Sequence, residues 1–214
     1  HLAAILACAA GMASKPVMVT APLLTLLYDR MVLAESWQGA WRQRKALYAG
    51  LASTWGLLAV LLREARPLTN PSAGFGIEDL TPLAYASTQP SVILHYLRLS
   101  LWPEPLVFDY HWPLGQSLSV TLLSSLVIGL LALLTLAALV RNSPLGFLGA
   151  WFFLILGPTS SVIPLRDPIF EHRMYLPLAA VVALAVVGTW SLLGRLVIAE
   201  LRRRALACVL VIAA

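Results

Sequence analysis

Arg166, Asp167, Glu171, His172 and Arg173 fall in one short run, Arg166-Asp-Pro-Ile-Phe-Glu-His-Arg-Met-Tyr-Leu-Pro177, between two strongly apolar stretches. The guanidinium of Arg173 is a planar fork that matches phosphate oxygens. Glu171 is suited to orient that fork or a substrate hydroxyl, and histidines such as His172 change charge near neutrality. Charges at the edge of hydrocarbon are costly, so in a membrane protein such a run is a functional-site candidate. It also suits a plain ion-pair anchor of helix ends, with Tyr175 as an ordinary interfacial aromatic.

A second group is Ser91-Val-Ile-Leu-His95-Tyr-Leu-Arg98-Leu-Ser-Leu-Trp102. At 3.6 residues per turn, Ser91, His95, Arg98 and Trp102 share one stripe. The pattern predicts an amphipathic helix over 91–102, too short to cross a bilayer, lying in the outer interface or dipping in under protein cover. His95 and Arg98 would line a polar cavity, or Arg98 would simply snorkel to water. A third group, Phe108-Asp109-Tyr110-His111-Trp112-Pro113, sets one carboxylate and one imidazole among aromatic rings. Such a loop suits a sugar or a lipid headgroup, and equally an aromatic belt at a membrane surface. Asp109 is the candidate general base. Lys15, in Ser14-Lys15-Pro16 between two apolar runs, calls for an anionic partner such as phosphate, or a route to water.

The chain has no P-loop, Rossmann glycine pattern, HExxH, GxSxG or CxxC. Nothing therefore points to nucleotide hydrolysis or metalloprotease chemistry. No cofactor and no metal ligand set is predicted, and a divalent-ion requirement stays open. Cys8 and Cys208 lie in apolar runs and read as buried, inert thiols.

The elements that must position these groups are hydrophobic helices. The chain is 59% hydrophobic and only 12% charged, with a mean hydropathy of +0.81. Ser117–Val140 and Met174–Gly194 carry no charge. Each is long enough to cross ~30 Å of hydrocarbon as a helix. Lipid leaves backbone groups no outside partner, so these runs must be helical. The expected architecture is an all-α, polytopic integral membrane bundle. About six helices span or partly span: 2–12, 16–33, 46–62, 118–140, 145–162 and 174–193, with a further helix starting at Ala205. Residues 1–214 read as a single transmembrane domain, truncated at both ends, with a non-cytoplasmic loop region at 63–116 and a charged loop at 164–173.

Nine of the fifteen Lys and Arg fall in the 30–45 link, at Arg141 or in 195–204. That side nets +6 and the other −1, which makes the first cytoplasmic. The overall charge of +5 is thus mostly this bias. The basic residues form no stripe with stacking aromatics, so no nucleic-acid partner is expected.

Three stretches together resemble the membrane domain of protein O-mannosyltransferases that carry tetratricopeptide repeats, polytopic glycosyltransferases of the GT-C class. They are Met12-Ala-Ser-Lys-Pro-Val-Met-Val-Thr-Ala-Pro-Leu-Leu with Leu27-Tyr28-Asp29, then His95-Tyr-Leu-Arg-Leu-Ser-Leu-Trp-Pro with Phe108-Asp109-Tyr110, then Phe170-Glu-His-Arg-Met-Tyr-Leu-Pro. The resemblance implies a GT-C-like fold. It implies transfer of a sugar, mannose first among candidates, from a polyprenyl-phosphate donor to a protein acceptor on the non-cytoplasmic face. It places the family's acidic catalytic residue in a first outer loop that would precede His1. The family's acid is followed directly by Arg, whereas Glu171 here is followed by His172 and then Arg173. The candidate donor and substrate residues are Lys15, His95, Arg98, Asp109, His111, Arg166, Glu171, His172, Arg173 and Tyr175. The implied setting is the bacterial plasma membrane, or else the endoplasmic reticulum. A polytopic transporter predicts polar residues inside the spans, which are scarce here. A non-catalytic membrane anchor of a repeat protein has no need of the clustered outer charges.

Overall fold

The computed structural model describes residues 1–34, 36–64, 74, 77 and 80–212, with side chains described to residue 196. Residues 65–73, 75–76 and 78–79 of the expected 63–116 loop lie outside the described residues, as do the side chains of Arg202, Arg203, Arg204 and Cys208. Among the described residues the chain is helical and has no strand. The helices are α1 (Leu2–Ser14), α2 (Pro16–Leu33), α3 (Trp37–Glu64), α4 (Pro82–Leu101), α5 (Leu118–Val140), α6 (Pro144–Leu156) and α7 (Pro177–Ile212). α2, α3, α5 and the Pro177–Leu196 part of α7 are long and apolar enough to cross a membrane. α1 and α6 are apolar but only 13 residues each.

The bundle has two packed halves. In the first, α1 lies along α3 and buries Cys8, Met12, Leu51 and Leu58 between them. The approach is close because Gly50 offers no side chain where Ile5 packs. α2 touches both α3 and α6 and so joins the halves. Its first five residues, Pro16–Thr20, wind as a 3-10 helix. Pro22 supplies no amide to the carbonyl four residues back, which favours that tighter start.

In the second half α5 and α6 form an antiparallel pair, with α4 and α7 against its two members. α5 ends in a Schellman turn: Asn142 takes φ 51, its N–H donates to Leu139 O, and Ser143 N–H donates to Ala138 O. Ser143 then caps α6, with Pro144 at its first position. A Cβ on Gly146 would sit 2.5 Å from the backbone nitrogen of Leu139, so only glycine lets this turn close. Elsewhere α5 exposes leucines on most of its circumference, including Leu118, Leu126 and Leu133. A helix that is apolar all round suits lipid contact.

Three boundaries differ from the sequence expectation. The basic 30–45 link is partly helical: α3 starts at Trp37, and its axis breaks at Arg44 (φ −133, ψ 22). Asp29, 3% exposed, accepts from Arg44 Nη1 and from the Tyr48 hydroxyl, which fixes that break. α6 stops at Leu156 and not at 162, because Gly157-Pro158 follows. α7 runs unbroken through Arg195 to Ile212, so no separate helix starts at Ala205. Leu, Ala, Glu and Arg are all strong helix formers, and charge alone does not stop a helix.

The helix expected over 91–102 differs most in extent. α4 begins nine residues earlier than that, at Pro82, where the Thr81 side chain accepts from Ala84 N. It is deeply packed: Tyr85, Thr88, Val92 and Tyr96 are each 0% exposed. Val92, Ile93 and Tyr96 pack with Phe152 and Leu156 of α6, with Ile169 and Met174, and with Ala180 of α7. Pro90 inside the helix, together with tyrosines and hydroxyls, gives α4 the composition of a loop. The tips of Tyr85, Thr88 and Tyr96 are instead buried in hydrogen bonds.

Candidate functional site

The chain between α6 and α7 lies along α4 and is tied to it at two points. The Tyr85 hydroxyl donates to Thr159 O at 2.6 Å. The Tyr96 hydroxyl donates to Phe170 O at 2.9 Å and accepts from Phe170 N at 2.8 Å. Burial pushes the Tyr85 phenol up to about 12 and the Tyr96 phenol upward, so both remain neutral donors. Arg173 closes the link on itself. Its Nη1 donates to Pro168 O at 3.0 Å and Thr159 O at 3.5 Å, and its Nη2 donates to Asp167 O at 2.7 Å. Its guanidinium carbon also stands 5.6 Å from the Phe170 ring centroid. The fork that the sequence offered to phosphate is thus engaged by main-chain carbonyls.

Glu171 points the other way, at the aromatic loop. Its Oε1 accepts from Val107 N at 2.8 Å and from the Tyr110 hydroxyl at 2.5 Å. This pins the loop to the link and brings three rings together. His95 and Tyr110 have centroids 5.1 Å apart, His95 and Trp112 5.0 Å, and Tyr110 and Trp112 6.4 Å. All three pairs are edge-to-face, the arrangement favoured by ring quadrupoles. His95 Nε2 and Trp112 Nε1 are buried and have no hydrogen-bond partner. Such groups cost about 1–3 kcal/mol each until a guest or water satisfies them. Burial pushes the His95 pKa down, and the Arg98 charge adds to this, against the opposing pull of Glu171. A neutral imidazole both donates and accepts. Burial pushes the Tyr110 phenol up to about 12, with the Glu171 carboxylate acting in the same sense.

The remaining candidates lie around this cluster or away from it. Arg98 is exposed, with Nη2 donating to Glu104 O at 3.3 Å. Asp109 is spent on its own loop: Oδ1 accepts from His111 N at 3.1 Å and Oδ2 lies 3.6 Å from His111 Nε2. That turn holds His111 at φ 42, in the left-handed region. Both side chains face solvent. His172 is exposed, with its ring 5.1 Å from Phe170. Its pKa is lowered by partial burial first and then by the charges of Lys15 and Arg173, so Lys15 belongs to the same end of the bundle. Arg166 and Tyr175 are exposed, and neither joins the ring cluster. No group of three or more His, Cys, Asp or Glu that could hold a metal occurs among the described residues.

Tyr110 and Trp112, which sequence reasoning treated only as part of an aromatic run, are central to the cluster. Tyr85, Tyr96 and Gln89 went unsingled. Gln89 is 2% exposed and neither of its amide atoms has a partner. Their common signal was the spacing 85, 89, 92, 96, one helical stripe that Pro90 obscured.

Comparison with protein-family models, with curated proteins and with solved structures finds no match.

Proposed function

We propose that this chain is the membrane-embedded part of a GT-C-like glycosyltransferase, working in the bacterial plasma membrane at the end of the bundle that carries Glu171. In this reading a sugar, mannose first, moves from polyprenyl phosphate to a hydroxyl of a protein acceptor. The acceptor oxygen forms the new bond to the anomeric carbon as the bond from that carbon to phosphate oxygen breaks. The lipid phosphate leaves with the electron pair, and the hydroxyl proton passes to a base.

One observation carries the reading: Glu171 gathers Tyr110, His95 and Trp112 into a ring cluster that leaves two buried nitrogens unpaired. Aromatic faces with in-plane hydrogen-bonding groups suit a sugar ring. Arg98, Lys15 and His172 stand at the same end, exposed, where a lipid phosphate needs cations. Catalysis of this kind is mostly positioning and charge stabilisation. The reading gives Glu171 and Arg173 positioning roles: one holds the loop and the other holds the link.

The test is sugar transfer from a labelled polyprenyl-phosphate donor by the protein reconstituted in lipid. Truncating a charged or buried hydrogen-bonding group at such a site costs about 1.5–3 kcal/mol, roughly tenfold to a hundredfold in rate. His95→Ala, Arg98→Ala and Glu171→Ala are each expected to lose that much while staying folded. Asp109→Asn should lose far less. Absence of transfer and of donor binding across several lipid-linked sugars would overturn the reading. Full activity in all three variants would remove the ring cluster from it.

A further inference from the structure

The opposite end of the bundle carries a second built surface. The Asp29 carboxylate, buried between α2 and α3, is bound by Arg44 Nη1 and the Tyr48 hydroxyl. Tyr48 in turn stacks under Trp41, with centroids 5.9 Å apart and planes 18° apart. Ala40, 1% exposed, is the inward contact of the segment ahead of the Arg44 break. This leaves Trp37 and Trp41 facing outward, 52% and 56% exposed. Arg30 Nη2 donates to Asn142 Oδ1 at 2.7 Å, which ties this surface to the α5–α6 turn and brings Arg141 to the same end.

The charges here divide into two kinds. Arg44 and Asp29 neutralise each other, and Arg30 is engaged with Asn142, the Ala34 carbonyl and the Trp37 ring. Arg42 and Lys45, three residues apart, are exposed and have no hydrogen-bond or ion-pair partner among the described residues. Two outward indoles beside two unspent cations, on a shelf held by a buried carboxylate, match the layers of a bilayer surface. Indoles favour the headgroup boundary and cations favour lipid phosphates.

We infer that the Trp37–Lys45 shelf is a binding site for the headgroup of an anionic phospholipid, with Arg42 and Lys45 on its charge and Trp37 and Trp41 at the acyl boundary. The site rests on the membrane part of the reading above and not on the sugar chemistry. Zwitterionic lipid offers phosphate with its charge already balanced, so the site discriminates by net charge. The Asp29 cluster is what keeps the shelf at a fixed angle to α3.

The experiment uses the protein in bilayers of phosphatidylcholine and phosphatidylglycerol, with bromine on the acyl chains of one lipid at a time. Fluorescence of wild type minus that of a Trp37→Phe, Trp41→Phe variant isolates two of the seven tryptophans. Brominated phosphatidylglycerol should quench this difference signal more than brominated phosphatidylcholine at equal mole fraction. Each basic side chain near an anionic surface is worth about fivefold in local lipid preference. Arg42→Gln and Lys45→Gln should therefore each lower the preference by about that factor, and Arg42→Lys should retain most of it. High salt should weaken it. Equal quenching by both lipids would overturn the inference. So would quenching of the other tryptophans by either lipid while Trp37 and Trp41 stay unquenched. Should the double tryptophan variant fail to fold, headgroup preference in the glutamine variants, read on all tryptophans, still decides it. Sugar transfer is measured separately, so losing one reading leaves the other standing.

Discussion

Removing one oxygen from Tyr96 tests the central claim that α4 and the α6–α7 link form one hydrogen-bonded unit. The Tyr96 hydroxyl serves both backbone groups of Phe170, as donor at 2.9 Å and acceptor at 2.8 Å. Tyr96→Phe keeps the ring, which is 0% exposed, and leaves the Phe170 N–H unpaired, while the Phe170 carbonyl keeps the Arg173 N–H at 3.1 Å. Each unsatisfied group costs about 1–3 kcal/mol when buried. Phe170 is only half-buried, so water recovers part of this, and the expected loss is about 1–3 kcal/mol. Tyr85→Phe is the internal control. Its hydroxyl makes one bond, to Thr159 O, and that carbonyl keeps a second donor in Arg173. Its loss should be about 0.5–1.5 kcal/mol, since no group is left unpaired. Thermal or denaturant unfolding in detergent micelles, followed by circular dichroism, ranks the two variants against wild type. A Tyr96→Phe protein as stable as wild type, or less affected than Tyr85→Phe, would refute the argument. Phe170 would then have another partner, and the link would not be fixed by α4.

Two further outcomes follow from the cluster's titrating groups. Glu171→Ala should lower the Tyr110 phenol from about 12, because it removes the second cause of that shift and exposes the loop; ultraviolet titration of wild type and variant, each minus its Tyr110→Phe counterpart, reads it directly. An unchanged Tyr110 titration would show that the 2.5 Å bond to Glu171 does not form. Half-buried His95 binds fewer protons folded than unfolded, since its pKa is pushed below 6.5. Its contribution to stability is therefore complete above that pH and is lost as pH falls through the folded value. His95→Gln should flatten the acid side of the stability profile between pH 7 and 5, and an equally steep fall in the variant would count against burial of the imidazole.

How much of this was legible in the sequence depends on what kind of signal each element uses. α5 was legible to the residue, because an uninterrupted apolar run between Ser117 and Arg141 leaves one solution. The two chemically distinct ends were legible from the distribution of Lys and Arg. The structure supplies their physical counterpart: Arg30 reaches Asn142 at one end, and Glu171 reaches Tyr110 at the other. α4 was not legible, because its signals conflict. Thr81-Pro82 is a good helix start, but Pro90 argues for a break, and Tyr85, Thr88, Gln89 and Tyr96 read as surface. Tyr85 and Tyr96 are held by carbonyl and amide partners on a link 74 residues further on, which no local pattern carries, while Thr88 turns back on its own helix at Ala84 O.

The site divides along the same line. Residue types proclaimed Arg173 and Asp109 as the chemically active groups, yet both carry hydrogen bonds that build the scaffold. The groups left with capacity to spare are His95 and Trp112, whose unpaired nitrogens exist only because two loops and a helix meet. Spacing can place a charged group near an end of a bundle. Whether that group is spent on the fold or free for a guest is decided by long-range partners. For a guest at the Glu171 end, satisfying His95 and Trp112 would supply free energy that the fold leaves unused, so variants there should affect binding before they affect folding. Variants at Arg173 should do the reverse. That ordering separates a site from a scaffold within one run of chain.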